Sequence, residues 1–262
     1  MIVLLFLICL SASMVGSICG IGGGIIIKPL LDALRIMEAD TISFLSGCTV
    51  LAMTAYSVGR SKLNKGSSHL DSGRSFPLAM GAALGGVLGK QLLKAVLERS
   101  ESASSLGFVQ AICLLFVTLF TLLYTLQKKR IVTHNNRRAW VCILIGMCLG
   151  GLSAFLGIGG GPLNLVVLYY FFSMTTREAT ENSLYVIFVS QCMSLFVSIV
   201  SRSVPAFASQ ILVFMVLGGI AGGMAGRSIS QRIQDSTVEK LFVILMVVMI
   251  GICGYNIYQF SR

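Results

Sequence analysis

Two five-residue motifs hold the residue types best suited to chemistry. Gly20-Ile21-Gly22-Gly23-Gly24 and Gly157-Ile158-Gly159-Gly160-Gly161 each put four glycines into five positions of a long apolar run. Each glycine costs a helix about 1 kcal/mol relative to Ala, so both runs must break there. A short helix is expected to restart after each break, over about 24–35 and 162–174. Pro162 suits such a first turn, because its missing N–H is not needed there. The free N–H groups of a helix start, carrying about +0.5 charge, favour an anion, and glycine lets a ligand come close to the backbone. Gly22, Gly23, Gly24, Gly159, Gly160 and Gly161 are therefore candidate substrate-binding positions. The competing explanation is that these glycines only allow close helix packing.

Amides and hydroxyls extend the candidate site. Asn164 falls in the first turn of the second short helix, and Asn182, Ser183 and Gln191 belong to the helix that follows. Amides are costly inside a membrane, which makes them functional candidates. Ser183, Ser190, Ser194, Ser198 and Ser201 line one helical face, and Ser43, Ser46, Thr49, Thr54 and Ser57 form a similar face earlier in the chain. Such hydroxyls either bond neighbouring helices or line a cavity. Lys28, one turn from Asp32, either attracts an anion or pairs with that aspartate and snorkels to the interface. Lys90 and Arg227 are expected to end helices at the interface. Glu181, beside Asn182, is the one acid adjacent to the candidate cavity. No acid lies centrally in a long apolar run, so a carboxylate proton relay has no support. Enzyme readings lack their residues: there is no HExxH motif, no histidine in an apolar run and no paired aspartate within one. The eight cysteines contain no CxxC pair and read as small buried hydrophobes. Neither a metal nor a cofactor is expected.

The elements that must position these residues follow from composition. Of 262 residues, 55% are hydrophobic and 11% charged, against roughly 25% charged in soluble proteins. So few charges cannot cover so much apolar surface, and the chain reads as an all-α polytopic protein of the cell membrane (plasma or inner). The net charge of +10 sits between the apolar runs, where it reports topology rather than nucleic-acid binding. Internal matches organise the runs. The two glycine motifs lie 137 residues apart, and the same offset relates Gly85-Gly86-Val87-Leu88-Gly89-Lys90 to Gly222-Gly223-Met224-Ala225-Gly226-Arg227. This pattern implies two tandem repeats of about five helical segments each. The first repeat covers residues 1–127, a basic cytoplasmic linker 128–138, and the second repeat 139–262. If all five segments cross, the odd number inverts one repeat relative to the other. If each broken pair makes one re-entrant excursion instead, the halves are expected to be parallel. Inversion gathers Arg60, Lys62, Lys65 and Arg74 with Lys128, Lys129, Arg130, Arg137 and Arg138 on one side, as the positive-inside rule favours.

With these motifs the chain resembles the TauE/SafE family of sulfite-exporter-like permeases. The stretch Gly157 to Phe172 and the segment Glu178-Ala179-Thr180-Glu181-Asn182-Ser183-Leu184 carry the resemblance, and Gly20 to Gly24 with Lys28-Pro29-Leu30-Leu31 carry it more loosely. The resemblance implies a secondary transporter, an exporter of sulfite or an organosulfur anion, with the repeats rocking about the site in alternating access. A non-transporting scaffold and a passive anion channel are the alternatives. The expected partners are the bilayer, a small anion and, for the protein itself, a second copy in a homodimer, but no nucleic acid. Two departures matter. Pro162 follows its glycines directly, whereas Pro29 lies further on. Ile42-Ser43 also stands where the second half has Asn182-Ser183. The second half is therefore the better candidate for ligand contacts.

Overall fold

In a computed structural model of the chain, residues 2–34, 36–63, 71–99, 103–128, 131–133, 138–158 and 161–260 are described. They are helical throughout, with no strand among the described residues. The elements are α1 (Ile2–Cys19), α2 (Gly24–Leu34), α3 (Ala39–Leu63), α4 (Ser72–Arg99), α5 (Ala103–Gln127), α6 (Ala139–Leu156), α7 (Pro162–Phe172), α8 (Thr176–Val200), α9 (Ser209–Ser230) and α10 (Asp235–Phe260). Among the described residues, α1, α3, α5, α6, α8, α9 and α10 contain segments long and apolar enough to cross a membrane. The chain is a multi-pass membrane protein.

Both glycine motifs break their helices as expected. Gly22 and Gly157 have φ of +72° and +65°, where a side chain would be strained. Gly157 caps α6: its N–H donates to Ala154 O at 3.1 Å, and the Ile158 N–H reaches back to Ser153 O at 3.2 Å. Pro162 occupies the first turn of α7. The restarted helices α2 and α7 have 11 residues each. That is about 16 Å, half of a hydrocarbon core of roughly 30 Å. A capping box of Thr175 and Glu178 then starts α8.

Close contacts fix the helix directions. In α9, the α-carbons of Gly218, Gly222 and Gly226 rest on the carbonyls of Phe6, Leu10 and Met14 in α1. In α4, Gly81, Gly85 and Gly89 rest in the same way on Ile143, Met147 and Gly151 of α6. Rising numbers meet rising numbers, so α1 runs parallel to α9 and α4 parallel to α6. Thr49 and Met53 of α3 touch Gly219 and Gly223, which adds α3 to the first set. Asn182 of α8 bonds Asp71 and Ser75 at the start of α4, while Lys90 further along α4 bonds Ser194 and Ser198 further along α8. Thus α8 joins the second set. The two sets oppose each other, because Ser61 at the end of α3 meets Glu181 near the start of α8. Helices related by the 137-residue offset, α3 and α8, therefore run antiparallel.

The breaks lie at the middle of this bundle. Gly24 packs against Val50, halfway along α3, and against the Ile158 carbonyl of the other break. From there α2 returns to the start of α3, so α1 and α2 enter and leave on one side. An antiparallel α3 and α8 thus go together with a first pair that doubles back to one end of the bundle, so doubling back does not by itself make the halves parallel, contrary to the expectation for a re-entrant pair.

Candidate functional site

A cleft opens beside the second break. Its walls are Ala82 and Gly86 of α4, Gly150 and Ser153 of α6, Asn164 of α7, and Ser190, Gln191 and Ser194 of α8, with Leu149, Ala154 and Val186. The atom-free space is about 340 Å³, including the mouth. Glycine and alanine hold α4 and α6 close at their seam, and these small side chains leave the room in front of α7 and α8.

Two amides distinguish this cleft. Asn164 and Gln191 are each only 4% exposed, yet neither side chain hydrogen-bonds within the protein. Their polar atoms are not among the fully enclosed ones, so they look into the cleft and are poised to bond something that enters. Ser190 spends its proton on the Ile187 carbonyl, leaving its oxygen to accept. The cleft therefore presents amide N–H donors and hydroxyls and, among its lining residues, no carboxylate.

The other sequence candidates scatter. Asn182 is fully buried and structural: its Oδ1 accepts from the Asp71 N–H at 3.1 Å and from Ser75 Oγ, and its Nδ2 donates to Glu178 O at 2.7 Å. Ser183 is buried with an unpaired hydroxyl, outside the cleft lining. Gly22 packs against Ile187 and Val50, Gly23 against Ser13, and Gly24 against Ile158, so the first break is filled with protein. Gly161 precedes α7 in extended backbone. Gly159 and Gly160 lie outside the described residues.

Lys28 neither snorkels nor joins Asp32. It is 4% exposed, and its ammonium donates to the Leu156 carbonyl at 2.9 Å and to Gln110 Oε1 at 3.0 Å. Gln110 Nε2 in turn donates to Phe155 O at 2.7 Å. A cation from the first half thus compensates the negative C-terminal end of α6 in the second half. Sequence reasoning missed Gln110, although an amide in the apolar run of α5 carries the same signal as Asn164.

Lys90 also departs from expectation, since α4 continues past it to Arg99. Its ammonium donates to Ser194 O at 3.0 Å and Ser198 Oγ at 2.8 Å. Arg227 lies in the last turn of α9 but turns inward, donating to Ser57 O at 2.9 Å with Glu181 Oε1 at 3.9 Å. Ser57 and Ser194, the two carbonyls used, are themselves related by the 137-residue offset.

Comparison with known proteins agrees with this membrane architecture. A family model for the sulfite exporter TauE/SafE matches residues 5–252. The probable membrane transporter protein YunE of Bacillus subtilis (strain 168) is 23% identical over 269 residues, covering 94% of this chain and 95% of that protein. No solved structure matches the chain.

Proposed function

Because the chain belongs to the sulfite exporter TauE/SafE family of membrane transporters, we propose that it exports a small anion, sulfite or an organosulfonate, by alternating access. The observation that carries this reading is the pair of unpartnered, buried amides, Asn164 and Gln191, in one cleft between four helices. A hydrophobic pocket would suit a neutral lipid. A pocket of N–H donors and hydroxyls without a carboxylate suits an anion. Gly159, Gly160 and Gly161 belong to the same proposal, because they precede α7, whose start carries partial positive charge and whose first turn holds Asn164. Asn182 and Gly22 to Gly24 support the site from outside by fixing α4, α8 and α2, and Ser183 lies beside Asn182 on α8, outside the lining.

Inverted repeats are part of the proposal, and the antiparallel run of α3 and α8 supports them. With residues 60–74 and 128–138 cytoplasmic, Asn182 lies at the cytoplasmic end of α4 and α8, and Lys90 lies toward the opposite side. Purified protein in liposomes should show saturable sulfite or methanesulfonate flux. Counterflow should follow when the trans side is loaded with unlabelled anion, which a passive channel does not give. Absence of flux for every small sulfur oxyanion tried would remove the substrate class. Asn164→Leu combined with Gln191→Leu should abolish flux while the protein still elutes as a folded species in detergent.

A further inference from the structure

We propose that Lys90 supplies the counter-charge for the anion in the cleft, a role that rests on the anion-transport reading above. Two observations place it there. Gly86 lines the cleft, and Lys90 follows it by four residues on α4, so both lie on one helical face. Ser194 also lines the cleft, and its carbonyl holds the Lys90 ammonium at 3.0 Å. Through Ser194, Lys90 thus lies beside the space that Asn164 and Gln191 line.

Charge balance then separates Lys90 from the other two inward-turned cations. Arg227, its counterpart at the 137-residue offset, has Glu181 at 3.9 Å. Lys28 is committed to the C-terminal end of α6 and to Gln110. Among the described residues Lys90 has no ion pair, and its ammonium bonds only a neutral carbonyl and a hydroxyl. A partly buried cation without a carboxylate, beside donors that have no acceptor, is the arrangement an anion completes. An ammonium carries three N–H donors and two are in use, so the third can reach a ligand without breaking the contact to α8. The ligand class is a compact oxyanion or short sulfonate: one end accepts from the ammonium, and the other oxygens accept from the two amides.

The test uses detergent-purified full chain and thermal shift with sodium sulfite, sodium methanesulfonate and dimethyl sulfone, the last a neutral compound of similar size. Wild type should be stabilised by both anions, with an affinity at least about tenfold above that for dimethyl sulfone. Lys90→Gln should lose about tenfold or more in anion affinity, and Lys90→Arg should stay within a few-fold of wild type. Wild-type anion affinity in a folded Lys90→Gln protein overturns the assignment and leaves the transport reading intact. If Lys90→Gln does not fold, the wild-type comparison decides: equal affinity for methanesulfonate and dimethyl sulfone overturns it. A wild type that neither binds nor moves any of these anions brings down the transport reading, and the assignment with it.

Discussion

Replacing Asn164 with leucine should make the protein more stable and inactive. In the empty cleft the Asn164 side chain is 4% exposed and makes no hydrogen bond within the protein. A buried amide without partners costs about 1–3 kcal/mol, and leucine fills a similar volume without that cost. Part of the side chain faces the cleft, so the lower half of the range applies, about 1–2 kcal/mol. For a chain of this size each kcal/mol moves the midpoint by about 2–4 °C, which predicts a rise of roughly 2–8 °C. Thermal unfolding of the detergent-purified protein, followed by intrinsic fluorescence, reads this directly, and liposome flux reads the loss of transport. The two readouts together identify a binding residue held at the expense of stability. A lower midpoint for Asn164→Leu would refute the reasoning, because it would mean that the amide supports the fold.

Asn182→Leu should behave in the opposite way, losing about 2–4 kcal/mol and lowering the midpoint, because it removes two hydrogen bonds at the start of α4 and one within α8 and strands their partners. Gly218→Ala should destabilise by about 1–2 kcal/mol, since its new Cβ would lie 2.7 Å from the Phe6 carbonyl and the α1–α9 seam would have to part. Gly251→Ala in α10, where nothing lies within 4 Å, should instead stabilise by about 0.5–1 kcal/mol, and the difference between the two is measurable by the same unfolding assay. Alkaline phosphatase fused after residue 262 should be active and GFP dark, as inverted repeats with external termini require. The reverse pattern would remove that topology.

The features legible in the sequence were those written locally. Four glycines in five positions dictate a break wherever the chain goes, and Asn164 and Gln191 stand out because an amide in an apolar run needs a reason to be there. Helix pairing was not legible. The faces of α1 and α6 show almost no contrast between lipid and protein sides, because both are apolar. The marks of their seams are the four-residue spacings Gly81-Gly85-Gly89 and Gly218-Gly222-Gly226, which name a packing face but no partner. Long side chains were also opaque. Lys28 lies one turn from Asp32 in sequence, yet its flexible stem carries the ammonium across the bundle to Leu156, where a helix end offers a stronger partner. Lys90 looked like a helix terminus because the apolar run stops there, whereas α4 simply continues.

The pairing of α1 with α9 has a consequence for how the protein is made. Helix α1 leaves the ribosome well before α9, along which it packs, and Ser17 bonds the carbonyl of Gly223, 206 residues later. At about 5–20 residues per second, roughly 10–40 s of synthesis separates the two. During that time α1 has inserted without its seam partner. By contrast, α4 meets α6 after a far shorter delay. The N-terminal half must therefore wait in the bilayer, incompletely packed, until the C-terminal half arrives. Truncated chains ending before α9 should be early substrates for membrane proteases.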